Sequence, residues 1–200
     1  MERIPDCTGV LLAGGRASRL GGVAKGLVRT GSSSIAARSL ALFRETFDEV
    51  LLVANDPAPY LHLGAPVIAD VIPGKGAPGG LHAALSAVGT AWVFVAACDM
   101  PFLDAQAIRF LWERRAALAV AVEWERGFEG LHAFWSRLCL PTVERMLQEG
   151  DPSLRAIAQA VGARVLTADE WRAVDPAGRS FENANTPADL ARLGLDVPRR

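Results

Sequence analysis

Short apolar runs of strand length recur along the chain at residues 8–13, 49–54, 66–69, 92–98, 118–123 and 131–135, and most are followed by helix-start signals. Ser34 is placed to cap an amphipathic helix from residue 35 to about 46, residues 80–88 read as a small-residue helix, and Asp104 is placed to cap a helix through residue 115. Asp151 followed by Pro152 reads as a cap with proline at the first helical position, and that helix should stop at Gly162. Thr186-Pro187-Ala188-Asp189 repeats the device, with Gly194 closing the last helix. Runs this apolar are buried on both faces. Their alternation with helices predicts an α/β fold, a three-layer sandwich around an open, mainly parallel, Rossmann-like sheet. Residues 123–130, EWERGFEG, read as a reversal between two strands that introduces one antiparallel pair. Sheets of this kind bind ligands beyond the carboxyl ends of their strands, which directs attention to the loops after Ala13, Ala54, Ala69 and Cys98.

With 200 residues, half of them hydrophobic, the chain is long enough for one sizeable core, and one domain over residues 1–200 is expected. A formal net charge of -1 argues against a broad nucleic-acid surface, so an anion site must be local. Cys7, Cys98 and Cys139 form no C-x-x-C pair, so neither a zinc ribbon nor a disulfide framework is written here. Reduced thiols, an amino terminus without an apolar leader and no run of membrane-spanning length predict a cytoplasmic protein with no membrane partner.

Where the first strand run ends, the stretch 11–27, LLAGGRASRLGGVAKGL, holds five glycines and the cations Arg16, Arg19 and Lys25, with no acidic residue. Gly14 and Gly15 alone could mark a strand-to-helix turn beside a solvated cationic face. The same glycines also let backbone N–H groups approach a phosphate while the cations add full charge. A dinucleotide fingerprint is absent, because Gly14 is followed by Gly15, Arg16 and Ala17 rather than by G-x-G-x-x-G. A P-loop is absent as well, since Gly74-Lys75 is followed by Gly76 instead of Ser or Thr.

The segment Leu12-Ala13-Gly14-Gly15, Arg19-Leu20-Gly21 and Lys25 resembles the L-A-G-G-x-x-x-R-[ML]-G-x-x-K signature of nucleoside-triphosphate transferases, and within them the chain is similar to the molybdenum cofactor guanylyltransferases. The resemblance runs from about residue 8 to residue 193. Val95-Ala96-Ala97-Cys98-Asp99-Met100-Pro101 matches a strand ending in C-D-x-P. Residues 181–190, FENANTPADL, resemble N-x-N-T-P-x-[DE]-L. Pro78-Gly79-Gly80-Leu81 resembles G-P-L-x-G-[IM] but is one residue short.

The resemblance implies a nucleotidyltransferase that joins GMP from GTP to molybdopterin and releases pyrophosphate, in transient contact with other proteins that handle the cofactor. It implies Arg19, Lys25 and Asp99 as the catalytic set, with Asp99 holding Mg²⁺. Leu12, Ala13, Gly14, Gly15, Lys25, Asp70 and Asp99 would bind the nucleotide. Asn55 joins them as a substitute for a family asparagine whose position is Val53 here. Asp104 is better placed than Asp99 to cap the following helix, which leaves Asp99 without that structural duty. Asn183 and Asn185 would share one face of an extended approach, toward the acceptor or the metal-phosphate assembly, or act as turn formers. A cytidylyltransferase acting on molybdopterin or on a sugar or polyol phosphate stays open, as does a non-catalytic nucleotide-binding regulatory module. Retention of both Lys25 and Asp99 weighs against the module, and Gly14, where related cytidylyltransferases carry alanine, favours guanine.

The other conspicuous residues carry less. His132, alone on a strand run, is expected to be a hydrogen-bonded structural residue. His62 and His82 have no partner at metal-ligand spacing. The five tryptophans are expected in the core or at an interface, and Cys98 as a small buried hydrophobe.

Overall fold

The computed structural model describes residues 2–14 and 24–196, so Gly15 and Arg19 of the glycine-rich loop lie outside the described residues. The main sheet is built from β1 (Ile4–Leu12), β4 (Phe47–Val53), β5 (Val67–Ile68), β6 (Trp92–Ala97), β7 (Ala119–Trp124), β8 (Gly127–Phe128), β9 (His132–Ser136) and β10 (Arg164–Leu166). Two short strands, β2 (Arg29–Thr30) and β3 (Ser33–Ser34), pair apart from it. The strand order is β10-β7-β9-β6-β1-β4-β5, with β8 hairpinned onto β7. Pairing is parallel except at β9, which runs against both β6 and β7, and in the β7–β8 hairpin. The reversal expected at 123–130 is therefore present, but it produces an inserted strand with antiparallel neighbours on both sides rather than one antiparallel pair.

Helices α1 (Ile35–Thr46) and α3 (Ala105–Glu113) pack on one face of the sheet, and α2 (Gly76–Ala87), α4 (Leu140–Glu149) and α5 (Leu154–Ala160) on the other. The alternation along each strand makes the two cores. On β1, Leu11 points into the first with Phe43, Phe94 and Phe134, while Val10 and Leu12 point into the second with Leu81, Val95 and Trp135. Gly9 is glycine because a side chain there would collide with the Phe47 ring and meet Phe43 at 3.0 Å. Trp135 and Trp171 are fully buried, as are Cys7 and Cys139.

The caps explain where the helices begin. The Ser34 hydroxyl accepts from the Ala37 N–H at 3.2 Å, and the Asp104 carboxylate accepts from the N–H groups of Gln106 and Ala107, both at 2.9 Å. The expected cap at Asp151 is displaced. Ser153 accepts from the Ala156 N–H at 3.1 Å and starts α5, because a hydroxyl two residues on completes the same geometry after the chain has passed Pro152. The remaining helices are α6 (Ala168–Trp171) and α7 (Pro187–Leu193), the latter opened by the Thr186–Asp189 capping box and closed by left-handed Gly194. No helix among the described residues is long and apolar enough to cross a membrane.

Candidate active site

From β1 the chain moves outward to β4 and β5, then returns to place β6 on the opposite side of β1. The carboxyl ends of β1 and β6 therefore flank a switch point, where a crevice opens without any further device. Backbone bonds continue the ladder into it. Cys98 N–H donates to the Leu12 carbonyl at 2.9 Å, Ala13 N–H to Val53 at 2.8 Å, and Ala54 N–H to Ile68 at 2.8 Å. These bonds hold the first residues of the loops, and the crevice they frame is a cleft of about 640 Å³, a usual size for a small-molecule site.

Leu12, Gly14, Lys25, Asn55, Asp70, Asp99, Asn183 and Asn185 all line this cleft. At its centre the Lys25 ammonium lies 3.2 Å from Asp99 Oδ2 and also donates to Asn185 Oδ1. The three residues come from the segment after the glycine loop, the end of β6 and the approach to α7. Asp99 has no capping role, since Asp104 satisfies the start of α3, and its side chain is only 14% exposed. Its main-chain carbonyl accepts the Ala184 N–H at 2.9 Å, which draws the asparagine segment to the end of β6.

Asn185 is fixed in turn. Asp189 Oδ2 accepts its N–H at 3.1 Å along with both Thr186 donors, and those hydrogen bonds, from the Thr186 hydroxyl first, hold the Asp189 carboxyl below the usual aspartate range. Asn183 instead donates its amide to the Phe181 carbonyl at 3.1 Å. The segment is extended coil rather than strand. The two asparagines share the cleft with different duties, one reaching the charged centre and one bracing its own turn.

On the β4–β5 side, Asn55 and Asp70 bind each other reciprocally. The Asn55 amide donates to Asp70 Oδ2 at 2.8 Å, and Asp70 N–H donates to Asn55 Oδ1 at 2.9 Å. Gly80 lets the body of α2 close onto Leu12, whose Cδ1 lies 3.0 Å from where a side chain would begin. The first turn of α2 opens at the cleft through Gly76 and Ala77, and the Lys75 side chain at its N-cap position does not cap its N–H groups. Lys75 points elsewhere, to Asp151 at 2.6 Å and the Gly150 carbonyl at 2.9 Å.

The oxygens of Asp99 and Asn185 converge on one cation position, held by the Lys25 ammonium, and an all-oxygen donor set suits a hard divalent ion. Among the described residues no group of three or more His, Cys, Asp or Glu side chains gathers. A metal here would therefore take Asp99 and complete its shell with substrate oxygens and water.

One side chain differs from expectation, and one wall of the cleft escaped it. His132 is fully buried against Phe94, Trp171 and Phe181, and neither ring nitrogen has a hydrogen-bond partner among the described residues, so it is an aromatic filler rather than a hydrogen-bonded strut. Burial pushes its pKa down to about 4. The cleft wall formed by Phe128, Glu129, Gly130, Leu131 and Leu154 was not legible as a wall, because FEGL reads as the tail of a turn until β9 brings it to the carboxyl edge. Cys98 is buried at the strand end with its thiol pushed up to about 12, which suits an inert hydrophobe.

Residues 9–165 match the family model described as the MobA-like NTP transferase domain. The chain is 33% identical over 188 residues to a molybdenum cofactor guanylyltransferase of Desulfosudis oleivorans, covering 92% of this chain and 93% of the relative. A crystal structure of the molybdopterin-guanine dinucleotide biosynthesis protein A from Archaeoglobus fulgidus superposes with a TM-score of 0.77 at 26% identity, over 92% of this chain and 95% of that one. A Mycobacterium tuberculosis protein solved as a complex with manganese shares the fold, with a TM-score of 0.60 at 21% identity over 80% and 87% of the two chains.

Proposed function

The chain belongs to the family of MobA-like NTP transferases, and from that membership we propose that it is a molybdenum cofactor guanylyltransferase. It transfers GMP from GTP to molybdopterin, releasing pyrophosphate and forming the guanine dinucleotide form of the cofactor. The observation that carries this reading is the meeting of Lys25, Asp99 and Asn185 at the switch point of the sheet, in a chain similar over nearly its whole length to enzymes of that name.

The terminal phosphate of the acceptor attacks the α-phosphorus of GTP, and the bond to pyrophosphate breaks. A phosphate monoester is already ionised near neutral pH, so the attacking oxygen needs no protein base. What the chain supplies is position and charge. Lys25 opposes the negative charge that moves toward the leaving group, with Arg19 assigned the same task from the sequence. Leu12 and Gly14 line the nucleotide's part of the cleft, Ala13, whose N–H is spent on Val53, and Gly15 are assigned to the nucleotide from the sequence, and the Asn55–Asp70 pair takes the nucleoside end. Asp99 holds a divalent cation, which we read as Mg²⁺ and which, when bound, supplies electrophilic charge at the phosphate oxygens. Asn185 positions that centre and Asn183 shapes the acceptor side. We read residues 1–200 as one nucleotidyltransferase domain, working in the cytoplasm, where free thiols such as Cys7, Cys98 and Cys139 stay reduced. Its product then passes to proteins that handle the cofactor.

The test is incubation with GTP or CTP, Mg²⁺ and molybdopterin, followed by mass analysis. A guanine dinucleotide formed with release of pyrophosphate is the expected product. A cytosine dinucleotide formed in preference, or hydrolysis of GTP alone, would overturn the reading.

A further inference from the structure

The wall opposite the Asn55–Asp70 pair contains a carboxylate that the chemistry above does not use. β7 and β9 lie on the far side of β6 from β1, whereas Asn55 and Asp70 follow β4 and β5 on the near side. The hairpin joining β7 to β9 turns at the carboxyl edge, so Phe128, Glu129, Gly130 and Leu131 face into the same cleft from the other end. Four strand steps separate β4 from β7, roughly 19 Å at the usual 4.7–4.9 Å spacing, with Asp99 between them at the end of β6. That span suits two ring systems meeting at a phosphate centre.

Glu129 is held by its backbone. Its N–H donates to the Val122 carbonyl at 2.9 Å, and its own carbonyl accepts the His132 N–H at 3.3 Å. Gly130 locks the next position, because a methyl there would meet Phe128 at 2.8 Å and Leu154 at 2.9 Å. Among the described residues no hydrogen bond or ion pair reaches the Glu129 carboxylate. The cations of the flanking segments are engaged elsewhere, Arg126 with Glu182 at 3.0 Å and Arg155 with Glu123 in a two-pronged contact at 2.7 and 2.8 Å. Arg155 also lies over the Phe128 ring, which stiffens the wall.

A half-buried carboxylate on a rigid loop, bordered by Phe128, Leu131 and Leu154 and without a donor among the described residues, is suited to a ligand that brings its own. Burial accordingly pushes its pKa up to about 7. We propose that Glu129 is the anchor for the acceptor, its two oxygens accepting the adjacent imide and amino N–H groups of the pterin's 2-amino-4-oxopyrimidine edge. This rests on the reading that the acceptor is molybdopterin. Guanine presents the same pair of donors, but its end of the cleft is assigned to Asn55 and Asp70, so the two sources separate by which substrate loses affinity.

The experiment compares wild type with Glu129→Gln, which keeps the shape but turns one acceptor into a donor. The expected result is a rise in KM for molybdopterin of roughly ten- to a hundred-fold, as for loss of a charge-assisted pair. The KM for GTP, kcat at saturating acceptor and the unfolding midpoint should stay near wild type. A second measurement needs no turnover: 6-hydroxymethylpterin fluorescence should be quenched by wild type and not by Glu129→Gln. A wild-type acceptor KM and quench in the variant overturn the inference alone, and so does a rise confined to the GTP KM, which would assign Glu129 to guanine. Wild-type protein that neither converts molybdopterin nor quenches the pterin sinks the functional reading and the inference together.

Discussion

The Lys25 ammonium lies 3.2 Å from Asp99 Oδ2 although 74 residues separate them, and the two side chains are 26% and 14% exposed. Such a pair gains more from its partner than an open surface pair, but it is not buried deeply enough to be locked. On the function proposed above, it would exchange partners when a triphosphate and a cation arrive together. Asp99→Asn should therefore leave the unfolding midpoint close to wild type, because the bond from Ala184 reaches the Asp99 main chain. Turnover should fall by about two to three orders of magnitude. Steady-state rates across a Mg²⁺ titration check this, and near-normal turnover would remove Asp99 from the metal site.

Lys25 and Lys75 both follow glycine-rich segments of the sequence and both line or border the cleft, but they face different partners. Lys75 is bound to Asp151, which is 84% exposed, and such a bridge contributes about 0–1 kcal/mol. Lys25→Ala should slow the chemical step about a hundred-fold or more, whereas Lys75→Ala should change it by less than about three-fold. Single-turnover rates at saturating GTP decide, and the opposite ranking would mean that the wrong loop has been assigned to the triphosphate.

A methyl added at Gly14 meets no described atom within 4 Å, so Gly14→Ala should fold normally. On the proposed function its effect would fall on the ligand, because a Cβ at the strand end would narrow the approach to the larger base. We expect the ratio of kcat/KM for GTP over CTP to fall by roughly ten- to a hundred-fold, the range of a one-methyl steric discrimination. An unchanged ratio would break the link between this glycine and base choice.

His132 makes acid stability testable. Its folded-state pKa is depressed to about 4 from an ordinary 6.5, so the native state binds fewer protons than the unfolded chain between those values. The stabilisation is present above pH 6.5 and is lost as pH falls toward 4, at about 1.4 kcal/mol per pH unit crossed. His132→Leu, similar in volume, should flatten that part of the curve in chemical denaturation at pH 7, 6, 5 and 4. A slope unchanged from wild type would place the proton uptake elsewhere.

Gly9→Ala tests packing apart from chemistry. Its new methyl would collide with the Phe47 ring in the middle of the aromatic core, where Phe43, Phe47 and Phe94 already contact one another. Overpacking of this kind costs about 1–3 kcal/mol. The denaturation midpoint should drop, while any protein that remains folded keeps its KM for GTP.

The central strands and the helices with a side-chain cap at the expected place were legible because each carries its own signal: an apolar run for β1, β4 and β6, a Ser or Asp cap for α1 and α3. β10 was not, since only Leu166 of its three residues is buried and nothing in so short a segment marks it as sheet. α4 was hidden by Pro141, which reads as a break but sits in the first turn, where a missing N–H costs nothing. Asp151 and Ser153 both suit a cap, and only the path of the chain around Pro152 selects the serine. At the site, Lys25, Asp99 and Asn185 stood out through spacing and motif. Glu129 did not, because its place in the cleft depends on a strand pairing that no local pattern encodes.

That pairing gives the inserted strand β9 a further meaning. A wholly parallel sheet returns the chain through a helix after every strand, so each loop at its carboxyl edge is tied to a full crossover. β9 is reached through the tight β8 turn, which makes the far wall of the cleft a local insert that can be exchanged without rebuilding a crossover. A change in the length or side chains of that single hairpin would reshape one end of the cleft and leave the loops after β1, β4 and β6 where they are.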